Sequence, residues 1–439
     1  VKIELLNIGS ELMLGRVLNT HQQWLCRRLA DLGYVVGRQV AVADTVRDIE
    51  PAVRESLERN DLVITTGGLG PTSDDLTRDL IAHLLGKKLQ PDTNIARHIE
   101  SFFAARKRPM PPSTLVQAMV PEGAIVLPNP NGTAPGLVMK VEDGRWKMED
   151  GKCSGTPSSL LHSPSSSNGK WLIMLPGPPR ELRPMFNDAV VPLLKRELPL
   201  DGDFICRTLR TVGIGESQVA DRIGGRLLEC VAHGLDLGYC AHIGAVDVRL
   251  AAPGAQAAAL VQKAETIVRT ELGKYMYGED DETLEAVIVR LLTERKQTLA
   301  LAESCTGGSL ANRLTNVPGA SAVLLASLVT YANEAKQKFV GVRAETLAAH
   351  GAVSEAVARE MVEGARHETS ADYALSVTGI AGPGGGSEAK PVGTVFIGFA
   401  SATETIALKQ FNPFDRETFK QVTATQALEI LRRKILAIE

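Results

Sequence analysis

No stretch of this 439-residue chain approaches the run of roughly 20 apolar residues that a membrane-spanning helix needs. Six cysteines (Cys26, Cys153, Cys206, Cys230, Cys240 and Cys305) form no CxxC pair, which argues against a cysteine zinc site. The amino end, VKIELLNIG, carries a carboxylate at Glu4 and no long apolar core, so it reads as a first strand and not as a secretion signal. Thiols in such a chain are expected to be reduced and the protein cytoplasmic. Excess positive charge is also missing. A formal net charge of -3 and a pI near 6.3 argue against a dominant nucleic-acid footprint. What is present, 44% hydrophobic and 23% charged residues, is the composition of a soluble globular protein long enough for two or three cores.

Residues 1–200 alternate between short apolar runs and helical periodicity. KIELLNIG, YVVGRQVAV and DLVITTGG read as strands, and His21 to Leu32 and Arg47 to Arg59 as helices between them. That alternation predicts an α/β domain with a parallel sheet, whose ligands lie beyond the carboxyl ends of the strands. Gly9-Ser10-Glu11 and the run from Thr65 to Thr72, TTGGLGPT, both fall at such ends. Gly68 and Gly70 would let the backbone approach a ligand closely. Thr72 with Asp75 fits a capping box opening the helix DDLTRDLIAHLL, with Asp74 and Asp75 at its positive end. The same two aspartates could edge a phosphate cradle as metal ligands. Spacing does not choose between these readings. Residues 142–170, rich in Ser, Gly and Pro, predict a flexible surface insertion.

Residues 201–280 predict a small α+β module: a strand, a glycine-marked turn and a helix, then a strand pair around Gly244 and a long helix to Leu272. Residues 281–439 form a third region. Its focus is LALAESCTGG (Leu299 to Gly308), an apolar strand running through Ser304, Cys305 and Thr306 into Gly307-Gly308 and a helix. A hydroxyl at such a turn sits beside unpaired backbone N–H groups able to stabilise an oxyanion; capping by Ser and Thr is the plainer account. Downstream lie Tyr331 and Lys336 on one segment, a glycine-dense loop from Gly379 to Gly386 after Thr378, and Arg416. Serine at a helix start with a tyrosine and a lysine is the minimal set for Ser–Lys acyl transfer, because a desolvated lysine can take the hydroxyl proton. Cys305 competes as nucleophile, since a thiolate is intrinsically stronger.

Several motifs, in order, resemble the CinA family: IGSELMLGRVLNTH, TTGGLGPTSDD, NPNGTAPG and LPGPPREL in the first region, then ESCTGG, TYANEAK, GAVSEAVA, TGIAGPGGG, KPVGTV and the Asp415-Arg416 pair in the last. The resemblance implies a molybdopterin-binding-like amino-terminal domain, a KH-like middle module and a CinA carboxyl-terminal α/β domain. It implies amidohydrolysis of nicotinamide mononucleotide (NMN) at the carboxyl end, with Ser304 the nucleophile, Lys336 the base and Tyr331 its partner. Thr378 and Arg416 fall at substrate-contact positions, beside Thr306 and Gly307 of the turn, and no cofactor is needed there. For the first domain it implies a nucleotide site on Gly68, Gly70, Thr72, Asn131, Gly132 and Thr133. Asp74 and Asp75 would be its divalent-metal candidates, and some members hydrolyse ADP-ribose. The alternative is a non-catalytic pterin- or nucleotide-binding protein, or one associated with competence or recombination, since the same fold also binds pterins. A homodimer is expected, whereas nucleic acid is not expected as a partner because the middle module lacks a convincing GxxG loop.

Overall fold

The structure is a computed structural model and describes residues 1–141, 169–200 and 202–438. The insertion expected at 142–170 lies almost wholly outside the described residues. Contacts divide the chain into two units, Val1–Phe204 and Ile205–Glu439. Both are mixed α/β, and no described helix is long and apolar enough to cross a membrane.

The first unit is built on a six-stranded sheet. Its parallel centre is Val36–Val42, Ile3–Ile8, Leu62–Thr66 and Lys170–Leu175, in that order; Gly136–Val141 and Ile125–Leu127 extend it antiparallel. Parallel strands covered on both faces should read as near-continuous apolar runs. Ile3–Ile8, Leu62–Thr66 and Lys170–Leu175 come close to that, whereas the edge strand Val36–Val42 is mixed and largely exposed. Alternate residues serve opposite faces. Ile3, Leu5, Leu62 and Ile64 pack with Leu25 and Leu29 of the helix Thr20–Asp31. On the reverse face, Leu6, Ile8 and Val63 meet Ile49, Val53 and Leu57 of the helix Val46–Arg59. Glu4, which marked the first strand as unlike a signal peptide, is fully buried and accepts hydrogen bonds from Ser56 Oγ and Asn60 Nδ2, both at 2.7 Å.

One local expectation is corrected. The helix after the glycine run starts at Thr77, not at Asp74. Thr72 and Asp75 close a turn ahead of it: Asp75 Oδ2 accepts from the Thr72 amide at 2.9 Å and from its hydroxyl at 2.5 Å, and the Asp75 amide donates to Thr72 O. The reciprocal bonding of a capping box is thus partly present, but it terminates no helix.

In the second unit, Asp236–His242 and Ala245–Pro253 form the hairpin expected around Gly244, within a four-stranded sheet that also holds Phe204–Val212 and Met276–Glu279. A five-stranded sheet follows, ordered Leu324–Val329, Leu299–Glu303, Tyr373–Gly379, Thr394–Ala400, Thr405–Phe411. Its first three strands are parallel and the last two antiparallel. Leu299–Glu303 is buried throughout and flanked on both sides. Leu299 and Leu301 enter one core; Ala300 and Ala302 enter the other, where their small side chains leave room for Met361 and Val362 of the helix Glu355–Thr369. From the end of Leu299–Glu303 the chain turns to one side of the strand and later returns on the other. That is where a ligand site is expected.

Candidate functional site

Ser304 follows the last residue of the Leu299–Glu303 strand, with its amide donating to Val377 O of the neighbouring strand at 3.0 Å. The turn beyond it needs left-handed backbone twice, φ 62° at Gly307 and 91° at Gly308, which glycine adopts without strain. It then enters the helix Ser309–Thr315. No Ser or Thr side chain caps that helix. The buried Glu303 carboxylate does so instead, accepting from the amides of Gly308 (3.0 Å), Leu310 (3.1 Å) and Ala311 (2.9 Å). A negative group at the positive end of a helix, saturated with N–H donors, fixes the direction in which the strand hands over to the helix.

Lys336 lies on the helix Asn333–Val340 and is 1% exposed. Its Nζ donates to the carbonyls of Thr330 at 2.8 Å and Tyr331 at 3.2 Å, and lies 3.1 Å from Ser304 Oγ. Burial pushes its pKa below the ordinary lysine range, against a smaller opposing effect of Cys305. A neutral amine with both hydrogens on carbonyls directs its lone pair at the third neighbour, the serine hydroxyl. Cys305 behaves differently. Its side chain packs in the core, and burial, with Glu303 adding to the effect, pushes the thiol up to about 12. At neutral pH it is a thiol, a poor nucleophile.

Tyr331 reaches Lys336 through its carbonyl, not its hydroxyl. The ring is 61% exposed, and its hydroxyl accepts from Arg416 Nη2 at 2.9 Å. Arg416 Nη1 donates to Gly382 O in the glycine-dense loop, also at 2.9 Å. Thr378 is buried, with its hydroxyl donating to Ala352 O at 2.8 Å. Thr306 is fully buried and its hydroxyl has no partner.

The first unit has its own cleft of about 620 Å³ at the carboxyl ends of the parallel strands. Gly68, Gly70, Thr133, Asp74 and Asp75 line it; Thr72, Asn131 and Gly132 stand outside the lining. Close backbone approach is literal here. A Cβ on Gly68 (φ 67°) would fall 2.0 Å from Thr77 Oγ1, and one on Gly132 would fall 2.0 Å from Glu181 Oε2. Asn131 donates its amide to Asn129 Oδ1 at 3.1 Å, shaping the loop rather than facing the cleft. Glu11, Asp44 and Glu181 join Asp74 and Asp75 around the lining, yet among the described residues no three His, Cys, Asp or Glu side chains are grouped to hold an ion.

Comparison with known proteins covers the whole chain. Three family models match in succession: "Probable molybdopterin binding domain" over residues 4–196, "Damage-inducible protein CinA KH domain" over 206–278 and "CinA C-terminal domain" over 281–435. A protein of Caldicellulosiruptor bescii described as competence-damage inducible is 42% identical over 436 residues, spanning 99% of both chains. This chain belongs to the CinA family. A CinA-like protein of Akkermansia muciniphila is 41% identical over 98% of this chain and 96% of its own. A solved structure, that of the competence/damage inducible protein CihA from Agrobacterium tumefaciens, is 40% identical over 34% of this chain and 92% of its own, with a TM-score of 0.33.

Within this CinA-family chain, Ser304, Lys336, Tyr331 and Arg416 gather around one strand end, and Thr306 and Gly307 belong to the same turn. Two residues of the neighbourhood escaped sequence reading. Glu303 carries no role in the sequence reading, yet a carboxylate ending a buried apolar strand must find donors, and the coming helix supplies three of them. Lys420, four residues past Arg416, approaches Gly307 from the last helix: a Cβ on that glycine would lie 3.7 Å from Lys420 Nζ. The i, i+4 spacing from Arg416 was the available signal.

Proposed function

We propose that the carboxyl-terminal domain hydrolyses the carboxamide of NMN to nicotinic acid mononucleotide and ammonia. The observation that carries this reading is the buried Lys336 amine 3.1 Å from Ser304 Oγ, anchored by two carbonyls. Ser304 Oγ attacks the carboxamide carbon while Lys336 takes its proton. Collapse of the tetrahedral intermediate breaks the C–N bond, and Lys336 returns the proton to the departing ammonia. Water then attacks the ester, again giving a proton to Lys336, and the carboxylate leaves as Ser304 is reprotonated. No cofactor takes part. The amides of Ser304 and Gly307 are already given to Val377 O and Ser304 O, which leaves those of Cys305 and Thr306 as the turn's donors for the oxyanion.

A purified sample should release ammonia from NMN in the presence of chelator, and Ser304→Ala should not. Equal release by both proteins would move the nucleophile away from Ser304.

The first-unit cleft supports a second activity, ADP-ribose pyrophosphatase, because Gly68 and Gly70 bring bare backbone to a lining with several carboxylates. Asp75 is partly committed to Thr72, and no three-ligand cage exists among the described residues. The donor set therefore fits a magnesium-type ion held by Asp74 or Asp75 together with pyrophosphate oxygens, and not one held by protein alone. Such an ion would neutralise phosphate charge. A cytoplasmic homodimer acting on these small nucleotides, without nucleic acid, completes the reading.

A further inference from the structure

Arg416 and Lys420 lie one turn apart at the start of the helix Arg416–Leu436, so their side chains leave the same face. The family resemblance puts Arg416 at a substrate-contact position, and a guanidinium there would suit a phosphate because it forks onto two oxygens. Yet that guanidinium is already engaged at both ends, on Gly382 O and on the Tyr331 hydroxyl. Lys420 is the contrasting case. It is partly buried, and among the described residues its side chain has neither a hydrogen bond nor an ion pair. Its ammonium stands over Gly307, three residues past Ser304, and a Cβ on that glycine would meet nothing else within 4 Å. A cation held beside bare backbone at a reactive turn, with no protein carboxylate to answer it, is arranged for an anion that arrives with the ligand.

We propose that Lys420 binds the phosphate of the nucleotide substrate and sets the preference for the phosphorylated form, while Arg416 is a positioning residue that holds the Tyr331 hydroxyl at the site. This rests on the amidohydrolase reading and adds to it which chemical feature of the substrate is recognised, and by what. A glycine at 307 then has a second reason: any side chain there would stand between the ammonium and the phosphate.

The test compares ammonia release from NMN and from nicotinamide riboside, which lacks the phosphate, in the full-length protein. Lys420→Met keeps length and helix propensity. It should raise KM for NMN about ten- to hundred-fold, the usual worth of a hydrogen bond to a charged group, with kcat changed far less. The preference for NMN over the riboside should fall by the same factor, and Lys420→Arg should restore most of it. Arg416→Lys should instead lower kcat on both substrates and leave the preference standing. A preference within twofold of wild type in Lys420→Met overturns the proposal, as does a loss of preference confined to Arg416→Lys. If the wild type releases no ammonia from NMN, the amidohydrolase reading fails by itself. The anion site is then decided by thermal stabilisation with inorganic phosphate: a rise in Tm for the wild type that Lys420→Met lacks supports it, and equal behaviour overturns it.

Discussion

At the scale of single residues, the proposed amidohydrolase reading turns on one amine. Lys336 can take a proton from Ser304 only when neutral, and burial places its pKa below the ordinary lysine range. Ammonia release should therefore rise with pH along a limb whose midpoint lies below that range; a kcat/KM profile against pH measures it. A midpoint at or above the value of free lysine would remove Lys336 as the base. The same shift carries a stability sign. Between the folded and the unfolded pKa, the unfolded chain binds the additional proton, so this group makes stability increase with pH across that window. Lys336→Met should flatten that part of the stability profile, read by denaturant titration at several pH values. The serine, lysine and tyrosine were legible in sequence as a set. How they interlock was not, because the Lys336 anchors are the carbonyls of Thr330 and Tyr331, and backbone groups leave no trace in residue identity.

At the scale of elements, the strand–turn–helix from Leu299 to Thr315 depends on a buried carboxylate. Glu303 accepts three amide N–H groups and lies 3.3 Å from the Ser327 hydroxyl. Glu303→Gln would turn an NH2 toward donors and leave at least one amide unanswered, at a cost of about 1–3 kcal/mol. A fall in the thermal midpoint with little change in the denaturant m-value would show this, whereas an unchanged midpoint would mean that the cap is dispensable. Sequence reasoning found the strand, the turn and the helix here, since burial and periodicity are written in side chains. Capping by Ser and Thr, the plainer of the two accounts of this turn, is not what the structure has, although those residues usually cap helices. The actual cap comes from the preceding strand, an arrangement that only the three-dimensional course of the turn creates. The helix after Gly70 was misplaced for a related reason: Thr72 and Asp75 bond to each other as a cap would, but in a turn that stops short of Thr77.

At the scale of the whole molecule, the middle module and the carboxyl-terminal domain share a unit, and Arg432 fastens them. It is 2% exposed, forks onto both oxygens of Glu429 at 2.7 and 2.8 Å, and donates to Met276 O and Lys274 O at 3.0 and 2.9 Å. Arg432→Met would strand the Glu429 carboxylate in the interior and free the segment 274–276. Because Arg433 also donates to Glu429, the expected loss is about 3 kcal/mol, toward the lower end for a broken buried pair. Urea unfolding monitored on the full chain measures it. The three-part organisation was visible in the order of motifs, but this fastening was not, since its acceptors are carbonyls more than 150 residues away. The helix that carries Arg432 also carries Lys420. Twelve residues at 1.5 Å each make that span about 18 Å, one stiff rod with its head beside Gly307 and its tail clamped to a neighbouring module. Tilting such a rod by about 3° would swing its head by about 1 Å, a displacement that, on the proposed reading, corresponds to roughly a hundredfold change in rate. On the amidohydrolase reading the middle module would serve that rod as a mechanical bearing, giving strain at a distant surface a short, inflexible shaft along which to arrive.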